Sequence, residues 1–186
     1  SEAAVRSMSV VFAALAAGTV YLVAERLHSD RAGLLAGVLF ALNALIVDYA
    51  QTARGYTLVV FLVTFSTFLL VMELDRPSLR TRTMYVVISV LAVYAHFFAA
   101  FVLVAHLTAV LLIQRHRRTQ LHWIPVTASI TVLCLPALFW ARGQGISAIS
   151  WIAPLTSREV AAVVTDLSAG STMLLILMIG CAAFAI

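Results

Sequence analysis

Uncharged apolar runs recur along this chain, near residues 8–24, 32–47, 57–72, 84–95, 97–114, 124–141 and 173–186, and mostly short polar intervals part them. Such runs constrain the fold more than any other feature. A helix needs about 20 mainly apolar residues to cross a hydrocarbon core. Inside that core every backbone N–H and C=O must find its partner within the protein. Mean hydropathy is +1.05 and 11% of residues are charged, where soluble domains carry roughly 25%. The expected fold is all-α: a polytopic transmembrane helix bundle of about seven membrane segments. The chain reads as a single transmembrane domain over 1–186.

One stretch, Met84–Ile113, can be drawn as one helix or as a hairpin. Thirty residues of helix would be about 45 Å long, well beyond a core of about 30 Å. Arginine placement decides for the hairpin. All twelve cationic residues are arginine, and a hairpin puts eight of them on one side, in "ERLHSDR", "ELDRPSLRTR" and "QRHRRTQLH". A single helix would erase that asymmetry, and cytoplasmic loops carry an excess of cations. The same arginines explain the net charge of +4 through anionic lipid headgroups, so no nucleic-acid partner is expected. The turn of the hairpin falls at Tyr94–His96. Ser1–Ser7, Asp48–Tyr56, this turn and the stretch 142–172 then share the outer side.

Smaller signals fill in the bundle. Gly33-Leu-Leu-Ala-Gly37 allows close helix approach. Thr156-Ser-Arg-Glu159 matches a capping box and predicts an outer amphipathic loop helix over about 157–168. Cys134 and Cys181 stand inside apolar runs and read as small buried hydrophobes. Glu25, Glu73 and Asp75 read as solvated partners of loop arginines. No metal-ligand pair is suggested, and His106 falls off the face of His96 if both share one helix.

The candidate site is "DYAQTARGY", residues 48–56. Arg54 offers a fork of donors to phosphate oxygens and keeps its charge. Tyr49, Tyr56 and Gln51 can donate to hydroxyls, and Asp48 can orient Arg54. His96, at the hairpin turn, can donate to a phosphate or leaving group. The plainer alternatives are an interfacial anchor for Arg54, whose stem snorkels, and a structural role for His96.

These residues carry a resemblance. The stretch Gln51-Thr-Ala-Arg54-Gly-Tyr56-Thr-Leu58, Arg6 ahead of it, the Ala36-Gly37 pair, Tyr94-Ala-His96-Phe-Phe and "WIAPLT" resemble the membrane core of polyprenyl-phosphate-dependent glycosyltransferases. These are GT-C enzymes of glycosyltransferase family 39, similar to protein O-mannosyltransferases and aminoarabinose transferases. Thr52 and Gly55 depart from the Glu and Pro common there. The resemblance implies an inverting transfer of a sugar, mannose foremost, from a polyprenyl-phosphate donor to an acceptor hydroxyl on a protein, glycan or lipid. It implies an integral protein of a bacterial plasma membrane with an extracytoplasmic active face. Beyond the lipid-linked sugar no cofactor is implied. It also implies that the catalytic acidic base lies upstream of Ser1, so the chain is expected to be a fragment, inactive alone, that lacks the first span, the first outer loop and the C-terminal part. The competing classes are a transporter or flippase for lipid-linked sugars and a non-catalytic scaffold.

The topology has a direct test. A cysteine introduced at Ser147 should react with an impermeant thiol reagent applied from outside, and one introduced at Ser78 should not. The reverse pattern would invert the outer-face assignment.

Overall fold

The computed structural model describes residues 2–52, 55–113 and 117–143, together with Thr156, Ala162, Thr172, Met173 and Ile176. The chain divides into two compact units, Ser1–Gly143 and Gln144–Ile186, and the helices below all belong to the first. The expected loop helix at 157–168, the "WIAPLT" stretch and the last apolar run lie outside the continuously described residues.

Among the described residues seven helices follow in order: α1 Glu2–Leu27, α2 Asp30–Ala41, α3 Ala44–Gln51, α4 Tyr56–Asp75, α5 Leu79–Ala95, α6 Ala99–Ile113 and α7 Arg117–Gly143. The fold is an all-helical membrane bundle. Stretches of α1, α4 and α7 are each long and apolar enough to span, and α2 with α3, bent by 54° at their junction, is a fourth if the pair is taken as one span. The sequence reads that span as one segment. The helix breaks at Leu42–Asn43, where the Asn43 side chain accepts from the Leu45 N–H at 3.0 Å and caps a new helix. Asparagine competes for backbone donors in this way, which suits helix N-caps better than helix interiors.

The hairpin is as expected. Helix α5 ends at Ala95 and α6 starts at Ala99. At 17 and 15 residues the arms are about 25 and 22 Å long, short of a full crossing. The core lies where α4, α5, α6 and α7 meet, and each helix turns a stripe inward. On α4 the stripe is Leu62, Ser66, Leu69, Leu70 and Glu73, and on α7 it is Trp123, Val126, Ile130 and Cys134. Both follow the spacing of one helix face. Buried Ser66, Thr57 and Ser89 are small residues of the kind that let membrane helices approach closely. Phe12, Phe61 and Phe65 stack between α1 and α4, with centroids 6.0 and 5.6 Å apart.

Glu73 corrects the reading of the loop acids. It is 4% exposed, not solvated. Its carboxylate accepts from Arg82 Nη2 at 2.6 Å and Nε at 2.9 Å, and from the Ser78 N–H at 2.9 Å. Asp75, by contrast, meets Arg26 at 2.7 Å in an exposed pair. Together the two pairs tie the α4–α5 corner to the end of α1.

The GxxxG expectation is met at the α1–α2 contact. A Cβ on Gly33 would stand 2.8 Å from Glu25 Cβ and from the Tyr21 carbonyl oxygen, and one on Gly37 would stand 3.1 Å from Tyr21 Cβ. Near Gly18 nothing lies within 4 Å. Gly33→Ala should therefore destabilise the bundle by about 1–3 kcal/mol, as overpacking does. Gly18→Ala should be neutral or stabilising, since alanine gains roughly 1 kcal/mol over glycine within a helix. Thermal unfolding in detergent would read both, and equal effects would remove the close contact as the cause.

Candidate functional site

One end of the bundle gathers the start of α1, the α3–α4 junction and the α5–α6 turn. The junction is built from its own polar side chains. Helix α3 ends when Thr52 turns extended, its N–H still donating to the Asp48 carbonyl at 3.1 Å. The Thr52 hydroxyl donates to the Tyr49 carbonyl at 3.0 Å. Ser9 of α1 donates to the Thr52 carbonyl at 3.1 Å, which ties the junction to the first helix.

The two tyrosines of the stretch fold onto each other across this junction, with ring centroids 5.0 Å apart. Against Tyr56 lies His96, at 6.3 Å, brought from forty residues along the chain by the hairpin. His96 caps α5 in an extended conformation, and its N–H donates to the Ala92 carbonyl at 2.9 Å. Its Nδ1 accepts the Phe98 N–H at 3.3 Å. A nitrogen that accepts carries no proton, so the neutral ring holds its proton on Nε2. Nε2–H is then a donor with no hydrogen-bond partner among the described residues. Phe98 packs on His96 at 5.3 Å and fixes the ring further.

Of the candidates named from sequence, the structure thus joins Tyr49, Tyr56 and His96. Asp48 and Gln51 stand exposed on α3, and among the described residues their side chains form no hydrogen bond. Arg54 lies outside the described residues.

Sequence reasoning passed over one buried centre. His106 is 7% exposed and links three helices. Thr67 on α4 donates its hydroxyl to the Val63 carbonyl at 2.9 Å. It is therefore free to accept from His106 Nε2, 3.0 Å away. That leaves Nδ1 to accept from the Tyr85 hydroxyl of α5 at 3.2 Å. Tyr85 meets Trp123 of α7 edge-on at 5.7 Å. The signal was the presence of Thr67, Tyr85 and His106 inside apolar runs, where polar groups must find one another. Among the described residues no group of three His, Cys, Asp or Glu side chains could hold a metal ion.

Apolar helices closed at their breaks by polar side chains, with an aromatic and polar cluster at one end, define a helical integral membrane protein. Residues 1–140 match the family model described as dolichyl-phosphate-mannose-protein mannosyltransferase, so the chain belongs to that family. It is a membrane glycosyltransferase of the mannosyltransferase family, whose substrates are a lipid-linked sugar and an acceptor. Comparison with curated proteins gave no significant match, and comparison with solved structures gave none either.

The contact between Tyr56 and His96 can be measured. Aromatic pairs contribute about 0.5–1.5 kcal/mol beyond their buried area. A double-mutant cycle of Tyr56→Ala and His96→Ala, read by unfolding in detergent, should return a coupling of that size. Strict additivity would mean that the two rings do not touch.

Proposed function

We propose that the Tyr49–Tyr56–His96 end of the bundle binds the phosphate of a polyprenyl-phosphate sugar, mannose foremost, and supports an inverting transfer to an acceptor hydroxyl. The observation that carries this is the meeting of His96 with Tyr56, which leaves Nε2–H available beside the "DYAQTARGY" stretch. Arg54 stands two residues before Tyr56 in the chain and supplies the permanent charge. In the reaction the acceptor oxygen attacks the anomeric carbon, and the bond from that carbon to the phosphate oxygen breaks. The bonding pair stays on the phosphate, and the acceptor proton passes to a carboxylate base. The permanent charge of Arg54 and a hydrogen bond from the neutral His96 Nε2–H would offset the negative charge that grows on that oxygen, generally a large catalytic contribution. Asp48 and Gln51 orient Arg54 and the sugar hydroxyls.

Sidedness follows from charge. Arg26, Arg76 and Arg82 gather at the opposite end, where Arg26 meets Asp75 and Arg82 meets Glu73. Cationic ends face the cytoplasm, so the tyrosine end faces outward, across a bacterial plasma membrane.

The test is sugar transfer by the full-length protein in liposomes supplied with radiolabelled polyprenyl-phosphate-mannose. Arg54→Ala should lower kcat about 10²–10³-fold, the loss typical of one charge-stabilising donor. His96→Ala should lower it less. Equal transfer by wild type and Arg54→Ala would make Arg54 an interfacial anchor. Movement of the lipid across the bilayer without transfer would make the protein a flippase.

A further inference from the structure

The hairpin that carries His96 is not packed solidly against α7. A cavity of about 240 Å³ lies between α5, α6 and α7. Val93 of α5 and Phe97 of the turn line it, and so do Ile130, Cys134 and Leu138 of α7. Protein interiors are usually close-packed, and packing then fixes how far apart two helices stand. Here side chains leave part of the gap open, so the upper part of α5 needs another tie to α7.

Tyr94 supplies that tie. It stands in the last turn of α5, and its hydroxyl donates to the Leu133 carbonyl of α7 at 3.1 Å. The acceptor sits at a weak point of α7. Pro136 lies inside that helix, and a proline has no N–H and crowds the carbonyl four residues back, here that of Val132. Leu133 is the next residue along. A carbonyl oxygen has two lone pairs, so Leu133 can accept from Tyr94 without giving up a helical bond. An interfacial anchor would need only an aromatic ring with its polar tip among the headgroups, whereas this tip is engaged by a backbone carbonyl.

The end of α5 is therefore held from two sides. Tyr94 ties it to α7, and two residues on the His96 ring packs against Tyr56 of α4, 6.3 Å between centroids. Further down α5, Tyr85 meets Trp123 of α7 edge-on, but that contact is about 13 Å of helix away. His96 itself is extended, with φ −159° and ψ 123°, so its ring follows wherever the last turn of α5 is held. A phenol has one proton, and that of Tyr94 is spent on Leu133. Tyr94 thus has no donor left for a ligand and acts through its neighbour.

We propose that Tyr94 is a positioning residue for the transfer: its bond to α7 beside Pro136 holds the end of α5, and so sets the place from which His96 Nε2–H meets the substrate. This inference rests on the donor-phosphate reading above.

The full-length protein in liposomes with radiolabelled polyprenyl-phosphate-mannose tests it. Tyr94→Phe keeps the ring and removes only the hydroxyl. It should lower kcat about tenfold, since a misplacement of about 1 Å can cost up to about 10²-fold, and should leave KM for the donor little changed. In a His96→Ala background the same substitution should change kcat by less than about twofold, because residues that act together are not additive. Wild-type kcat in Tyr94→Phe would overturn the proposal, as would a tenfold loss that persists without His96. A second readout needs no transfer. With isotope-labelled histidine, the NMR signals of the His96 ring are assigned by their loss in His96→Ala, and Tyr94→Phe should shift or broaden them. Unchanged signals would overturn the proposal. Shifted signals in a protein that transfers no sugar would keep Tyr94 as the residue that sets His96 and sink the transferase reading.

Discussion

Hydrocarbon offers no partner to a backbone N–H or C=O, so each interruption of a membrane helix must be closed by the protein itself. Several described breaks in this chain meet that demand with a nearby polar side chain, although α4 starts at Gly55 with no side-chain cap. Asn43 caps α3, Thr52 and Ser9 close the α3–α4 junction, Ser78 and Glu73 close the α4–α5 corner, and His96 closes the hairpin. Polar side chains of this greasy chain thus gather at these breaks, beside a separate buried centre of Thr67, Tyr85 and His106 within the helices. Two of those breaks meet at one end of the bundle, and that meeting creates the candidate site. His96 shows the arrangement at work: one ring nitrogen accepts from the turn, and the other has no hydrogen-bond partner among the described residues.

The opposite end is built on charge. Removing the Glu73 carboxylate from water is costly unless it is paired and hydrogen-bonded, and Arg82 with the Ser78 N–H meets that need. The pair also fixes where α5 begins, because Ser78 is both its N-cap and a ligand of Glu73. From that fixed start, 17 residues of helix set the level of His96. The exposed Arg26–Asp75 pair is of the kind worth at most about 1 kcal/mol. Its role lies in registering α1 against α4.

Membership of the mannosyltransferase family asks for a protein that handles an amphiphile, with a charged sugar phosphate at one end and an apolar chain at the other. A single-solvent site cannot do this. The bundle offers polar and aromatic side chains at the Tyr56 end, and a mostly apolar cavity between α5, α6 and α7. The buried His106 centre joins α4 to the two hairpin arms. Tyr85 and His106 of this centre also line that cavity.

Much of this was legible before any coordinates. The apolar runs fixed the helices, because length and hydropathy leave no other structure in a bilayer. The arginine asymmetry placed the hairpin break correctly, since a 30-residue helix would have carried its cations to the wrong side. Gly33 and Gly37 announced the α1–α2 contact. What sequence could not supply was distance between segments. It read His106 through helix angles that do not apply across a break, and it read Glu73 as solvated because burial depends on what α5 brings against it. It also missed the 54° bend at Asn43, since one polar residue in an apolar run caps a helix only when its neighbours leave room. Periodicity and polarity are local, and the chain writes them directly. Which polar group answers which backbone break, and so how Tyr49, Tyr56 and His96 come together, is settled only by packing, because those contacts join residues that the sequence keeps far apart.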